Sequence, residues 1–223
     1  MSISRLYKET FFTSSSWKCP AGVKFIILTG CGGGGGGGGG AAIGSSYGNA
    51  ISGMGGEPAL TTYQVIPVNP GINYSITIGA GGLGGNANYG NISFANGSPG
   101  ISGIKGDTSH FDIFFTDLQF VGGNGGIGGI PIHNTTDPFL KNYLLMTRHL
   151  GGISNNIYSY GGYPGVETNV IGSYGGGGGT GGIGGGGGGG GFGGRIGPPD
   201  GDGGVGGGGG NGGSGFIEIA WIQ

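Results

Sequence analysis

The sequence predicts an all-β protein: a small β-sandwich of jelly-roll-like type, long glycine-rich insertions running as polyglycine II helices, and one short helix. Three observations carry that expectation. Apolar residues gather into about six runs of strand length. Glycine supplies 68 of 223 residues, against a usual share of about 7 %. Within the glycine tracts, the other residues recur on a three-residue period.

The strands come first. Val23–Thr29 is β-branched and apolar on both faces, which predicts a strand buried on both sides. Thr61–Val68 reads as a second strand, with Pro67 placing it at an edge or a bulge. Asn73–Ile78 alternates, so Tyr74, Ile76 and Ile78 share one face. Between these two, Pro70 followed by Gly71 suits a type II turn, and a hairpin is expected. Phe111–Phe115 and Leu118–Val121 are two further short strands. The last is Phe216–Ile222, where Phe216, Glu218 and Ala220 alternate against Ile217, Ile219 and Trp221. Only 8 % of residues are charged and 35 % are hydrophobic, which excludes charge-driven disorder. Ten prolines and no strict G-X-Y repeat exclude collagen.

The glycine tracts have their own grammar. Gly122–Ile130 repeats G-G-X three times. Leu83, Asn86, Tyr89 and Ile92 recur by threes, and Tyr174, Thr180, Ile183, Phe192 and Arg195 share one phase. Three residues per turn is the period of the extended polyproline II conformation, which makes no internal hydrogen bonds. Lacking Cβ at two of three positions, such helices can pack side by side, bond laterally and point every third residue outward. Thr180 to Ser214 would span roughly 110 Å if extended, so the tract is expected to fold back on itself.

One island breaks this rule. Asp137 suits an N-cap and Pro138 the first helical position, followed by an apolar face of Phe139, Leu140, Tyr143 and Leu144. The expected organisation is a single glycine-rich β domain over 1–223, with an insert at 131–163 holding the short helix and a polyglycine II tract at 174–215.

The composition narrows the function. A formal charge of −2 with 8 Lys+Arg gives no footprint for nucleic acid or anionic lipid. No run of 18 apolar residues occurs, and the first residues lack the apolar stretch of a signal peptide. There is no Gly-Lys-Ser or Gly-Lys-Thr for a phosphate loop. His110, His133 and His149 lack metal-ligand spacing, and Asp200 and Asp202 read as solvated turn acids. Cys19 and Cys31 are expected to be free, buried thiols. The chain therefore reads as a non-enzyme without cofactor or metal, without nucleic acid as a partner, and without membrane insertion.

Trp17-Lys-Cys-Pro20-Ala-Gly22-Val23, then an apolar strand, then Gly30-Cys-Gly-Gly-Gly, resembles the opening of a glycine-rich domain of phage tail-fibre proteins. Pro70-Gly71 with Tyr74-Ser-Ile-Thr-Ile-Gly-Ala-Gly-Gly82, and the closing run into Phe216–Trp221, look like that family's later landmarks. A polyglycine II bundle is also similar to the distal domain of T-even phage tail-fibre tip adhesins, where loops between bundled helices bind the receptor. Cysteine at 19 and 31 departs from the family, as does the long, glycine-poor segment from Pro131 to Tyr163.

The resemblance implies a virion surface or tail-fibre protein, made in the host cytoplasm without a signal peptide. Its expected work is receptor recognition and host attachment. Partners would be a host cell-surface receptor, either a glycan or an outer-membrane protein, and other virion or fibre proteins; a homo-oligomer is compatible. Tyr158, Tyr160 and Tyr163 are the receptor-binding candidates, because tyrosine combines contact area with a hydroxyl at small entropic cost. The alternative is a purely structural capsid or fibre cement protein with no ligand. An ice-binding bundle would need small, regular outward residues, and here Ile, Phe, Tyr and Arg fill those slots.

Overall fold

In the computed structural model the described residues are 4–41, 49–50, 53–86, 99–113, 116–132, 177–185 and 206–223. They hold ten strands: β1 Leu6–Phe11, β2 Ser15–Lys18, β3 Phe25–Cys31, β4 Asn49–Ala50, β5 Thr62–Pro67, β6 Asn73–Thr77, β7 Ser109–Ile113, β8 Thr116–Phe120, β9 Pro131–Ile132 and β10 Phe216–Ile222. Two antiparallel four-stranded sheets form, ordered β1-β10-β3-β5 and β2-β6-β7-β8, with β4 and β9 as a separate pair. The architecture is all-β. Among the described residues there is no helix, and Asp137–His149 lies outside them.

Alternation explains which faces are buried. Ile26 and Leu28 of β3, Ile217 and Ile219 of β10 and Ile66 of β5 point into one hydrophobic cluster. Trp17, Tyr74, Ile76, Phe111 and Phe120 enter the same cluster from the other sheet. Aromatic rings chain the two sheets together. Tyr7 stacks on Trp221 at 5.7 Å, Trp221 meets Trp17 at 5.5 Å, Trp17 meets Tyr74 at 5.9 Å, and Tyr74 stacks on Phe111 at 5.4 Å.

Two expectations need correcting. Thr61–Val68 and Asn73–Ile78 do not form a hairpin, since β5 pairs with β3 while β6 pairs with β2 and β7. The turn itself is present: Gly71 has φ +79° and the Ile72 amide donates to the Asn69 carbonyl at 3.3 Å. What separates the strands is the Cys19 backbone, which donates to Ile72 O at 2.9 Å and accepts from Gly71 N at 2.8 Å. That contact hands the outgoing strand to β2. On the incoming side, Val68 N donates to Lys24 O at 2.8 Å and keeps β5 on β3. Nor is Val23–Thr29 buried on both faces, because Phe25 and Ile27 lie exposed on the outside of the sheet. Strands β1 and β2 have no counterpart among the predicted elements, being largely polar and exposed outside Trp17 and Phe11.

The glycine segments continue the strands. β3 runs into residues 32–41, every one of which is buried, and β6 runs into 78–86. Residues 99–108 lead into β7, 53–61 into β5 and 206–215 into β10, while β8 leads out into 121–130. At the junction, the buried Ser109 hydroxyl donates to Cys31 O and accepts from Gly79 N, both at 2.9 Å. Gly215 N donates to Gly79 O beside it, also at 2.9 Å.

Beyond that joint the 33–40 segment forms the axis of an array. Gly33, Gly36 and Gly39 donate to Asp107, Ile104 and Ile101; Gly34, Gly37 and Gly40 donate to Gly213, Gly210 and Gly207; Gly35 and Gly38 donate to Glu57 and Met54. All eight bonds measure 2.8–2.9 Å. The carbonyls of Gly34 and Gly37 accept from Gly82 and Gly85, and those of Gly33, Gly36 and Gly39 accept from Gly123, Gly126 and Gly129. A flat strand bonds to two neighbours; this segment turns its amides to three neighbours in rotation and its carbonyls to two more.

Such approach leaves no room for Cβ. One added at Gly35 would fall well inside 3.0 Å of the Asn124 carbonyl, and one at Gly33 equally close to Ala80. At Gly177, by contrast, the nearest atom would be Gly208 O at 3.7 Å, an ordinary contact. Gly35→Ala should therefore destabilise the fold by about 3 kcal/mol or more, the upper range for overpacking. Gly177→Ala should lie within about 1 kcal/mol of the parent. Urea unfolding followed by tryptophan fluorescence measures both.

Candidate binding surfaces

The strand registers set out two outer faces of opposite character. On the β2-β6-β7-β8 sheet the outward positions are Ser16 and Lys18, then Asn73, Ser75 and Thr77, then His110 and Asp112, then Asp117 and Gln119. This is the polar outside that a half-solvated antiparallel sheet normally shows. The β1-β10-β3-β5 sheet differs. One row across it reads Leu6, Ile222, Phe25 and Pro67; the next reads Lys8, Ala220, Ile27 and Val65; a third reads Thr10, Glu218, Thr29 and Tyr63. Leu6, Phe25, Val65 and Ile222 keep 62 %, 63 %, 64 % and 65 % of their surface exposed. Between them opens a groove of about 360 Å³, whose lining also includes Lys24.

Charge on this face is sparse. Lys8 Nζ lies 2.9 Å from Glu218 Oε1, and the Thr10 hydroxyl donates to Glu218 Oε2 at 3.4 Å. Near the glycine array, the same side of β10 and β3 is closed over. Phe216, Cys31 and Ala59 form a small buried cluster against which Ile183 packs, and Ala59 N donates to Gly184 O at 2.8 Å.

The array presents its own outward rows. Ala80, Leu83 and Asn86 are exposed on one segment, Ile101, Ile104 and Asp107 on the next, and Val121, Asn124, Ile127 and Ile130 on a third. Asparagines tie segments from outside: Asn211 Oδ1 accepts from Gly84 N at 2.8 Å, and Asn124 Nδ2 donates to Glu57 Oε2 at 2.7 Å.

Among the described residues no three His, Cys, Asp or Glu side chains could hold a metal ion, and no helix is long and apolar enough to cross a membrane. His110 Nδ1 and Asp117 Oδ2 approach to 2.6 Å across the β7–β8 pair, and Gln119 Nε2 donates to the same oxygen at 3.0 Å. Burial pushes the Asp117 carboxyl up, but the bonds from His110 and Gln119 outweigh it and hold it below its usual 3.8. Both cysteines are buried thiols outside any disulfide. The Cys19 thiol donates to Val23 O at 3.5 Å, and burial raises it. Burial pushes Cys31 up to about 11.

Tyr158, Tyr160 and Tyr163 lie outside the described residues. The apolar face of β3 and β5 escaped the sequence reading, because a run of five consecutive apolar or β-branched residues looks the same whether its second face is packed or open. The signal available was Tyr63 and Val65, which alternate with Gln64 and Ile66 and so leave one face of the neighbouring strand apolar.

Two outcomes follow. The stability contributed by the ionised Asp117 is complete above its usual titration range and is lost as pH falls below 3.8. Asp117→Asn should flatten that acid limb in thermal melts taken between about pH 5 and pH 2. Because the thiolate is the reactive form, iodoacetamide at about pH 8 should alkylate neither cysteine in the folded chain and both once urea unfolds it, counted by mass spectrometry. No family model and no curated protein matches the chain.

Proposed function

We propose that the chain is a non-enzymatic virion surface or tail-fibre protein that recognises a host receptor through loops held on a rigid glycine bundle. In this reading the two sheets make a small jelly-roll-like sandwich, and the strand continuations are polyglycine II insertions within a single glycine-rich domain. The observation that carries it is the backbone array around Gly33–Gly40, in which eight successive amides bond to three neighbours in rotation. The landmarks at Trp17–Val23, Pro70–Gly82 and Phe216–Trp221 support the same family of proteins. A scaffold fixed by backbone bonds suits the display of variable side chains, since loop identity and framework stability are then decoupled.

The attachment surface in this proposal includes Tyr158, Tyr160 and Tyr163, contacting a glycan or an outer-membrane protein. A second reading, a structural cement protein without a receptor, is favoured by the exposed apolar outer face of β3 and β5. Copy number in the native particle separates the two, few copies fitting an adhesin and hundreds fitting cement. For the first reading, purified protein should bind susceptible cells, and Tyr160→Ala should weaken that binding about tenfold or more without altering its melting temperature. Failure of the parent protein to bind any susceptible cell surface sinks the receptor reading.

A further inference from the structure

We propose that the outer face of the β1-β10-β3-β5 sheet docks a segment of another protein in which apolar side chains are flanked by carboxylates. The inference stands apart from the receptor reading, because it rests on none of Tyr158, Tyr160 and Tyr163. Its first support is the contrast between the two outer faces. The same chain builds a polar exterior on one sheet, with Ser75, Asp112 and Gln119, and leaves Leu6, Phe25, Ile27, Val65 and Ile222 exposed on the other. A contiguous apolar patch of this kind marks an interaction surface.

Charge selects the occupant. Lys24 is the one charged residue in the lining of the groove. Among the described residues no carboxylate forms an ion pair with it. The carboxylate on this face, Glu218, is held by Lys8 at 2.9 Å. The groove therefore carries an uncompensated positive charge at Lys24, and an acidic group flanking an apolar insert would meet it favourably. A second copy docked face to face would bring like charges together, which disfavours it. An anionic bilayer is held by clusters of roughly four to eight cations, more than this face provides. A groove of about 360 Å³ has room for a few side chains of a peptide segment.

The test uses the full chain and two labelled short peptides of equal length, one alternating leucine with glutamate and the other leucine with lysine, titrated by fluorescence anisotropy. The glutamate peptide should bind, and the lysine peptide about tenfold more weakly or worse. Phe25→Ser and Val65→Ser should each weaken glutamate-peptide binding about tenfold. Lys24→Glu should reverse the preference between peptides. Trp17 and Trp221 fluorescence reports whether each variant is folded, and Val65→Ser on the edge strand carries the test should Phe25→Ser unfold.

Equal binding of both peptides, or no binding, overturns the proposal. So does preferential uptake onto phosphatidylserine vesicles that the glutamate peptide does not displace. A concentration-dependent dimer that Phe25→Ser abolishes also overturns it, in favour of a second copy.

Discussion

Everything in this structure depends on how closely the backbone around Gly33–Gly40 is approached by its neighbours. An extended chain turning every three residues makes no hydrogen bonds with itself, so each buried amide must find a partner elsewhere. Here the partners are other segments of the same chain, at 2.8–2.9 Å on three sides. That arrangement is open only to glycine, because a Cβ at Gly35 or Gly38 would collide with the carbonyl of Asn124 or Ile127. Glycine is normally costly in ordered structure because of the entropy it loses. In this lattice the missing side chain is the packing surface itself.

The two sheets supply what the lattice cannot, a hydrophobic core. Strands β3, β5, β6, β7, β8 and β10 fix the starting positions of six glycine segments, and Ser109 stitches the changeover by bonding Cys31 and Gly79 at once. Register set by Ile26, Leu28, Ile217 and Ile219 in the core is thereby passed into the all-glycine axis segment 32–40, which has no side chains with which to set register itself. The axis segment follows β3, which lies inside its sheet between β10 and β5. A central strand leads to a central segment.

Much of this was legible in residue order, and the failures have physical causes. Runs such as Asn73–Ile78 and Phe216–Ile222 declare themselves through alternation, and their bounds match the observed strands to within about one residue. The phase of Leu83 and Asn86 is the phase in which side chains of that segment are exposed. The Asn69–Ile72 turn was recognisable, but not that its flanking strands part to different sheets, since this rests on the Cys19 backbone and no local signal reports it. Strands β1 and β2 were illegible because short, mostly exposed runs such as Leu6–Phe11, with Lys8 and Glu9 at its centre, become strands only when a partner such as β10 offers them an edge. Of the candidate surfaces, the apolar face of β3 was hidden inside a run that reads as doubly buried, and the three tyrosines lie outside the described residues.

The outward rows have a consequence for how such a protein can change. Successive outward residues on one segment, as at Leu83 and Asn86, stand about 9 Å apart along its axis. Rows on adjacent segments are held in step by the bonds from Ile104 to Leu83 and from Gly103 to Gly126. The exterior is thus a raster of addressable points on a frame written almost wholly in main chain. In segments such as 79–86 and 121–128 two positions in three are closed to a side chain and the third is open, whereas the axis segment is closed at Gly33, Gly34, Gly35 and Gly36 in succession. Sequence drift in such a chain is channelled onto its surface, where chemistry can be rewritten one point at a time while the frame beneath stays the same.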